Sequence, residues 1–538
     1  MKILLLLSLI VASVLNAQST IQVQIDDGPL LGLEFPTHNA FYGIPFTEPP
    51  IGNLRWASPV PKTSWGPQGG VWNATYERPG CPQQCNLPSG VCPEFQTEDC
   101  LYLNVYTPPF DNSNGNNPTP LPVMVFIPGG RFEMGGGSTP LYDGAVFVNR
   151  TNVILVTINY RLGVLGFLVT PQLKGNYGFQ DQLVALQWVQ DNIKSFGGDP
   201  SQVTVFGQSA GGTSSAIHLV SPKSTNLLSK IIIESNPWSL PVKTVDESID
   251  LAEKFAKDIG CNVDDTSCLL SQSVDSILVA QNTSENSFNV FHPLLTFLPW
   301  TPVVDGDIIP DQPLALLEKG QFNKVPTMIG TVHDEALIFV ASISEHISEL
   351  EFRAGLVDIF GLGNSIDIAK QYSSYINSST DYMLLLSTIG TDYIFVCPTR
   401  NAVRSIAAES VPVFQYQFQH VSSFNVYGNV FPQCANSVCH GLELPYVFDT
   451  VTSSGSFEFT PQEQQLSYDL IDYWTNFAKS GNPNGPVPVS DPSLPAWPMY
   501  TSSTSDQSFI LDIPSFVQQG LRSSYCDLYD QIGYQTGW

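Results

Sequence analysis

Charged side chains are scarce in this chain. Asp, Glu, Lys and Arg make up 13% of its 538 residues, about half the usual share. Basic residues are scarcer still: 22 Lys and Arg stand against 49 Asp and Glu, a net charge of −27. Such a balance disfavours binding to nucleic acid or to an anionic membrane surface. It reads first as solubility and second as steering of cationic substrates. Beyond the N-terminal leader no stretch reaches eighteen uninterrupted apolar residues, so no further membrane span is expected. No paired Cys-x-x-Cys sites appear, which weakens a zinc reading. The glycine-rich run Gly129 to Gly137 lacks the Gly-Lys-Ser/Thr ending of a phosphate-binding loop. There is no internal repeat and no clear linker. The C-terminal stretch Asp527 to Trp538 is polar, with no lipid-anchor tail and no retrieval signal.

Polarity comes instead from Ser, Thr, Asn and Gln, and 43% of residues are hydrophobic, ample for a large core. Met1 to Ala17 carries Lys2, the apolar run Ile3 to Leu15 and a small residue at Ala17, the pattern of a signal peptide. An exported, soluble chain is therefore expected, in the secretory pathway, outside the cell or in a vesicle lumen. Ten cysteines, an even number, suit disulfides in that compartment. Cys261 and Cys268 are neighbours with nothing else near, and Cys434 and Cys439 close a short loop. Sequons at Asn73, Asn149, Asn282 and Asn377 suit the same compartment.

Apolar runs of β type recur at Val123 to Ile127, Val153 to Ile158, Val203 to Phe206, Lys230 to Ile233, Val325 to Ile329 and Val413 to Phe418. Gln180 to Phe196 lies among them with helical spacing. Strand and helix in alternation predict an α/β fold, a large mainly parallel central sheet with helices on both faces. The stretch before residue 110 reads as antiparallel edge strands with disulfide loops. Val242 to Pro299 reads as a helical and irregular insertion, and Asp111 to Pro122 as a surface connection. One domain over residues 18–538 is expected.

Gly207-Gln208-Ser209-Ala210-Gly211 is the most informative stretch. A β run precedes it and a helix-compatible run, Gly212 to Leu219, follows. Strand, Gly-x-Ser-x-Gly turn and helix make a nucleophile elbow. A serine hydroxyl needs a general base, usually a histidine oriented by a carboxylate. Of seven histidines, His218 lies in the helix after the elbow. His38, His292, His346 and His420 read as structural or surface groups. His440, late in the chain before Gly441, fits the order serine, acid, base better than His333 does. The acid is then expected in the loop after Val325 to Ile329, as Glu335 or its neighbour Asp334. Ala210, directly after the serine, and the loop Pro128-Gly129-Gly130-Arg131-Phe132 would supply backbone N–H donors to an oxyanion.

With these residues in view the chain resembles the type-B carboxylesterase and cholinesterase family of the α/β-hydrolase fold. Glu98-Asp99-Cys100-Leu101-Tyr102-Leu103-Asn104-Val105, Asn159-Tyr160-Arg161-Leu162-Gly163, Gly198-Asp199-Pro200 and Phe206 to Gly212 carry the likeness. The resemblance implies a serine esterase acting on small carboxylic esters, without metal or organic cofactor. It implies Ser209, Glu335 and His440 as triad, and Gly130, Arg131 and Ala210 as oxyanion hole. It implies disulfides Cys81–Cys100, Cys261–Cys268 and Cys397–Cys526, with Cys85–Cys92 and Cys434–Cys439 as extras. Arg55 with Glu98, and Arg161 with Asp181, resemble the family's structural ion pairs. Trp238, Trp300 and Phe339 fall near its acyl-pocket positions.

Two departures stand out. Pro128 and Arg131 replace the usual ends of the oxyanion loop. A third position with φ above zero would strain a non-glycine residue there. The Arg131 side chain reads either as projecting into the substrate gorge or as turning outward. The loop closed by Cys81 and Cys100 lacks the tryptophan that choline-using relatives carry, so acetylcholine is not an expected substrate. A storage or binding glycoprotein with a slow or silent site, and a lipid or sterol esterase, are the alternative expectations. Oligomeric state is open.

Overall fold

Alternation builds the central strands. Leu121–Ile127 sends Val123, Val125 and Ile127 to one core and Met124 and Phe126 to the other. Ile231 and Ile233 join the first core, and Ile232 the second. A period of two with both faces apolar is what a strand covered on both sides requires. The computed structural model describes residues 19–65, 69–88, 90–110, 119–286, 298–344, 346–451, 457–486, 493–501 and 506–534. The expected signal peptide and His292 lie outside those residues.

The N-terminal strands are β1 (Thr20–Ile25), β2 (Gly28–Glu34), β3 (Asn39–Pro45), β4 (Trp72–Asn73) and β5 (Tyr102–Thr107). β1, β2, β3 and β5 pair antiparallel in that order, and β4 runs parallel beside β2. Next come β6 (Leu121–Ile127), β7 (Ile154–Ile158), β8 (Gly198–Gln208) and β9 (Lys230–Glu234). A small separate pair holds β10 (Lys243–Thr244) and β11 (Val303–Val304). The last strands are β12 (Thr327–Val332), β13 (Val413–Phe418), β14 (Gln507–Leu511) and β15 (Phe516–Gln519). β5 joins β7 antiparallel. From there β7-β6-β8-β9-β12-β13-β14 run parallel, and β15 closes the edge antiparallel.

Helices cover both faces, as expected of an α/β fold. Tyr177–Asn192 and Ala210–Val220 pack Ala185, Leu186, Trp188, Val189, Ala216 and Leu219 into one core. Pro461–Ser480 packs Leu466, Leu470, Ile471, Trp474 and Phe477 into the other. Several boundaries differ from the sequence reading: β8 runs Gly198–Gln208 rather than Val203 to Phe206, and two further differences have a local cause. The expected strand Val325 to Ile329 is shifted to Thr327–Val332, because Pro326 has no N–H for a central ladder. The helix expected from Gln180 starts at Tyr177 and passes into a 3-10 turn at Ile193, which ends at Gly197 with φ 83°.

Chain order places the functional loops. The chain goes from β6 outward to β7, then returns to β8 on the other side of β6. The carboxyl ends of β6 and β8 therefore flank a topological switch point, where open α/β sheets place their ligands. All ten cysteines pair: Cys81–Cys100, Cys85–Cys92, Cys261–Cys268, Cys397–Cys526 and Cys434–Cys439. Among the described residues no helix is long and apolar enough to cross a membrane.

Candidate active site

Ser209 stands at the turn between β8 and the helix Ala210–Val220, with φ 58° and ψ −120°. No side chain prefers that backbone conformation, and the surroundings hold it there. The Ser209 N–H donates to the Glu234 carbonyl at 3.0 Å, and the Thr213 N–H donates to the Ser209 carbonyl at 2.8 Å. Crowding explains the flanking glycine: a Cβ on Gly211 would lie 1.9 Å from the Ile127 oxygen.

Glu335 follows the end of β12 and is fully buried. Its Oε1 accepts the Val332 N–H at 2.8 Å, and its Oε2 pairs with His440 Nδ1. Asp334 turns the other way. One of its oxygens accepts the Val438 N–H at 2.9 Å and the other pairs with His333. That contact with Asp334 raises the His333 pKa, and the His333 side chain is mostly exposed.

His440 follows the loop closed by Cys434–Cys439. Asp334 and Cys439 form a parallel bridge, so the loop after β12 is tied to the loop that carries His440. The Tyr427 hydroxyl donates to the His440 carbonyl. Phe339 and Phe395 flank the imidazole, their centroids 5.1 and 5.4 Å away. The second ring nitrogen, Nε2, lies 3.2 Å from Nε2 of Gln208. Among the described residues no hydrogen bond joins the Ser209 hydroxyl to His440. Free hydrolases often show that contact loosened until substrate tightens it.

The loop after β6 crosses the elbow. A Cβ on Gly129 would stand 2.5 Å from the Gln208 oxygen and 3.1 Å from Ser209 Cβ. The loop then turns through positive φ at Gly130 (115°), Arg131 (61°) and Phe132 (63°). Two consecutive non-glycine residues in the left-handed region cost about 1–3 kcal/mol each. The Gly130 and Ala210 amides donate to no backbone carbonyl among the described residues. The Arg131 guanidinium lies 3.6 Å from the Glu133 carboxylate, with its own side chain 40% exposed. Burial pushes the Glu133 carboxyl up and the Lys243 ammonium down to about 8.

Of the three candidate pocket aromatics, Phe339 alone is in ring contact with His440 among the described residues. Trp300 packs edge-on against Phe255, 5.9 Å away, in the helical cluster beside the sheet. Trp238 is buried in the first core. His218 is also buried, held by Ser224 and Gln182, and burial lowers its pKa to about 3. Arg55 pairs with both oxygens of Glu98 at 2.6 and 2.7 Å. Arg161 grips both oxygens of Asp181 at 2.7 and 2.8 Å.

Sequence reasoning missed several neighbours of the site. Phe395 arrives from a π-helical turn, Thr391–Val396, for which composition gives no signal. Glu234 and Glu443 lie behind the site. Burial raises the Glu234 carboxyl to about 7 against the opposing Trp474 hydrogen bond. Burial, then repulsion from Glu234 and Glu335, raises Glu443 well above the usual carboxylate range. Gln208 sat inside the motif, but nothing in the sequence pointed it at His440. Among the described residues no group of three His, Cys, Asp or Glu is placed to hold a metal ion. The asparagines of all four sequons are exposed.

The sequence model of the Carboxylesterase family matches residues 19–529. The chain is 39% identical to a Dictyostelium discoideum protein named Crystal protein over 520 residues, covering 95% of this chain and 91% of that one. It is 34% identical to an acetylcholinesterase of Bungarus fasciatus over 552 residues, covering 95% and 86%. The solved structure of a PNB esterase superposes with a TM-score of 0.78 at 31% identity, over 94% of this chain and 99% of that one.

Proposed function

The chain belongs to the carboxylesterase family, with its α/β-hydrolase fold, and we propose that it is a serine esterase of the secretory pathway. The single observation that carries the reading is the contact between Glu335 and His440 Nδ1, made from the loops after β12 and β13 beside the Ser209 elbow. In this reading Ser209 Oγ attacks the carbonyl carbon of an uncharged ester while its proton passes to His440 Nε2. Glu335 accepts from Nδ1–H and stabilises the imidazolium. The N–H groups of Gly130, Arg131 and Ala210 hold the oxyanion. The C–O bond to the alcohol then breaks, and the alcohol leaves with the imidazolium proton. Water hydrolyses the acyl-serine by the same route and restores the enzyme. Residues 18–538 act as one domain, and Phe339 forms part of the pocket wall. The five disulfides and the four exposed sequon asparagines support passage through an oxidising, glycosylating compartment.

Ser209→Ala and His440→Ala are each expected to lower p-nitrophenyl acetate turnover about 10,000-fold or more, with an unchanged circular dichroism spectrum. Retained turnover in either variant overturns the assignment. So does an organophosphate adduct mapped by mass spectrometry to another serine. A fatty-acyl chain-length series decides between short esters and lipid or sterol esters.

A second reading, a storage glycoprotein with a slow site, has a specific support in the relative named Crystal protein. Active-site titration against total protein, with turnover per site, separates the two. A full titre with negligible turnover favours storage.

A further inference from the structure

We propose that Gln208 is a positioning residue that occupies the proton-accepting nitrogen of His440, so that Ser209 is activated only when the Gln208 amide yields. This inference rests on reading Ser209 and His440 as nucleophile and base.

The Glu335 carboxylate accepts Val332 N–H on Oε1 and faces His440 Nδ1 with Oε2. An ionised carboxylate only accepts, so the proton of the neutral ring sits on Nδ1 and Nε2 keeps a lone pair. Among the described residues the hydrogen-bond partner of Nε2 is the Gln208 amide nitrogen, at 3.2 Å. An amide NH2 only donates. Ser209 must donate its own proton to the same nitrogen during attack, and one in-plane lone pair does not serve two donors well.

Gln208 is fixed for this task. It is the last residue of β8 and is 4% exposed. Its Oε1 lies toward Gly129, 3.1 Å from where a Cβ there would stand. Its Nε2 lies 3.5 Å from the corresponding point on Gly441. The amide thus sits between the oxyanion loop and the loop of the base, in space that Gly129 leaves open. The ionisable groups around the imidazole are Glu335 on Nδ1 and Tyr427 on its carbonyl. Glu443 and Glu234 stand behind Glu335, and Asp334 and His333 lie on the tied loop. Phe339 and Phe395 are uncharged.

The amide has two faces. Toward neutral imidazole its NH2 donates to Nε2. Once the ring has taken the serine proton, Nε2–H is a donor, and the same amide turned end for end accepts it with Oε1. Gln208 therefore opposes protonation in one orientation and supports it in the other. Glutamate would only support it, and an aliphatic side chain would do neither.

The test compares full-length wild type with Gln208→Met and Gln208→Glu. Methionine keeps the length and frees the lone pair. It is expected to raise the rate of Ser209 phosphonylation by an organophosphate at pH 8 about five-fold. It is also expected to move the His440 Nε2 resonance of 15N-histidine-labelled protein downfield. Glutamate, an acceptor for the imidazolium, is expected to shift the acid-side midpoint of the kcat/KM profile for p-nitrophenyl acetate upward by about one pH unit. An unmoved Nε2 resonance in Gln208→Met overturns the proposal. Slower phosphonylation in a Gln208→Met protein of normal melting temperature also overturns it, because the amide would then be helping. Should methionine prevent folding, the Gln208→Glu profile decides, and an unshifted midpoint is fatal. A wild type without a Ser209 adduct sinks the esterase reading instead, and the 15N resonances still show whether the amide holds the ring.

Discussion

A single methyl group at Gly129 would crowd the loop after β6 against the Ser209 elbow. The Cβ of Gly129→Ala would stand 2.5 Å from the Gln208 backbone oxygen and 3.1 Å from Ser209 Cβ. Turnover is expected to fall about 100-fold or more, as when an oxyanion donor is displaced, measured by steady-state kinetics on p-nitrophenyl acetate. His218 makes a second prediction at this scale. Its folded pKa of about 3 lies below the ordinary 6.5, so between those values the unfolded chain binds the extra proton. Stability is therefore fully present above pH 6.5 and is lost as the pH falls toward 3. Melting temperature followed across that window should slope less steeply in His218→Gln than in wild type. Legibility differed sharply among single residues. Ser209 announced itself through its flanking glycines. Whether Asp334 or Glu335 faces the imidazole depends on where β12 stops, and its register is set by pairing with β9 and β13 rather than by the loop.

Elements were legible where their own pattern decided them. β6 and β9 show both-sided apolar alternation, and alternation survives in any context. The π-helical turn Thr391–Val396 did not show, because its extra residue per turn is imposed by neighbours: Ala336 N–H bonds Thr391 Oγ1, and Phe395 stacks on Phe339. Phe395→Ala is expected to lower kcat/KM about ten-fold by loosening the wall that holds His440, with KM for short esters changing less than kcat. Cys397–Cys526 ties the helix Cys397–Ala408 to the helix Ser523–Ile532 across 129 residues of sequence. On the loop-entropy account, removing it as a double serine variant costs about 5 kcal/mol. Calorimetry should show a clear drop in melting temperature.

For the whole molecule the net charge of −27 is the dominant long-range term. Self-repulsion at that charge destabilises the compact state and is screened by salt. Melting temperature at neutral pH should therefore rise between about 10 and 200 mM sodium chloride, whereas a protein dominated by attractive surface pairs would show the opposite. Overall topology was readable from the order of strands and helices, but the convergence of loops 105 and 232 residues apart in sequence was not, since side-chain meetings of that range leave no local trace. The bridge between Asp334 and Cys439 has a mechanical corollary. Glu335 and His440 are stitched into one small patch, while Ser209 rides on β8, two places from β12 along the sheet. Strain entering the sheet from afar, through temperature or a distant substitution, would leave the carboxylate–imidazole spacing intact and change the gap to the hydroxyl. In the esterase reading the hydroxyl-to-imidazole distance is thus the adjustable dimension of this site, and the imidazole–carboxylate contact is the welded one.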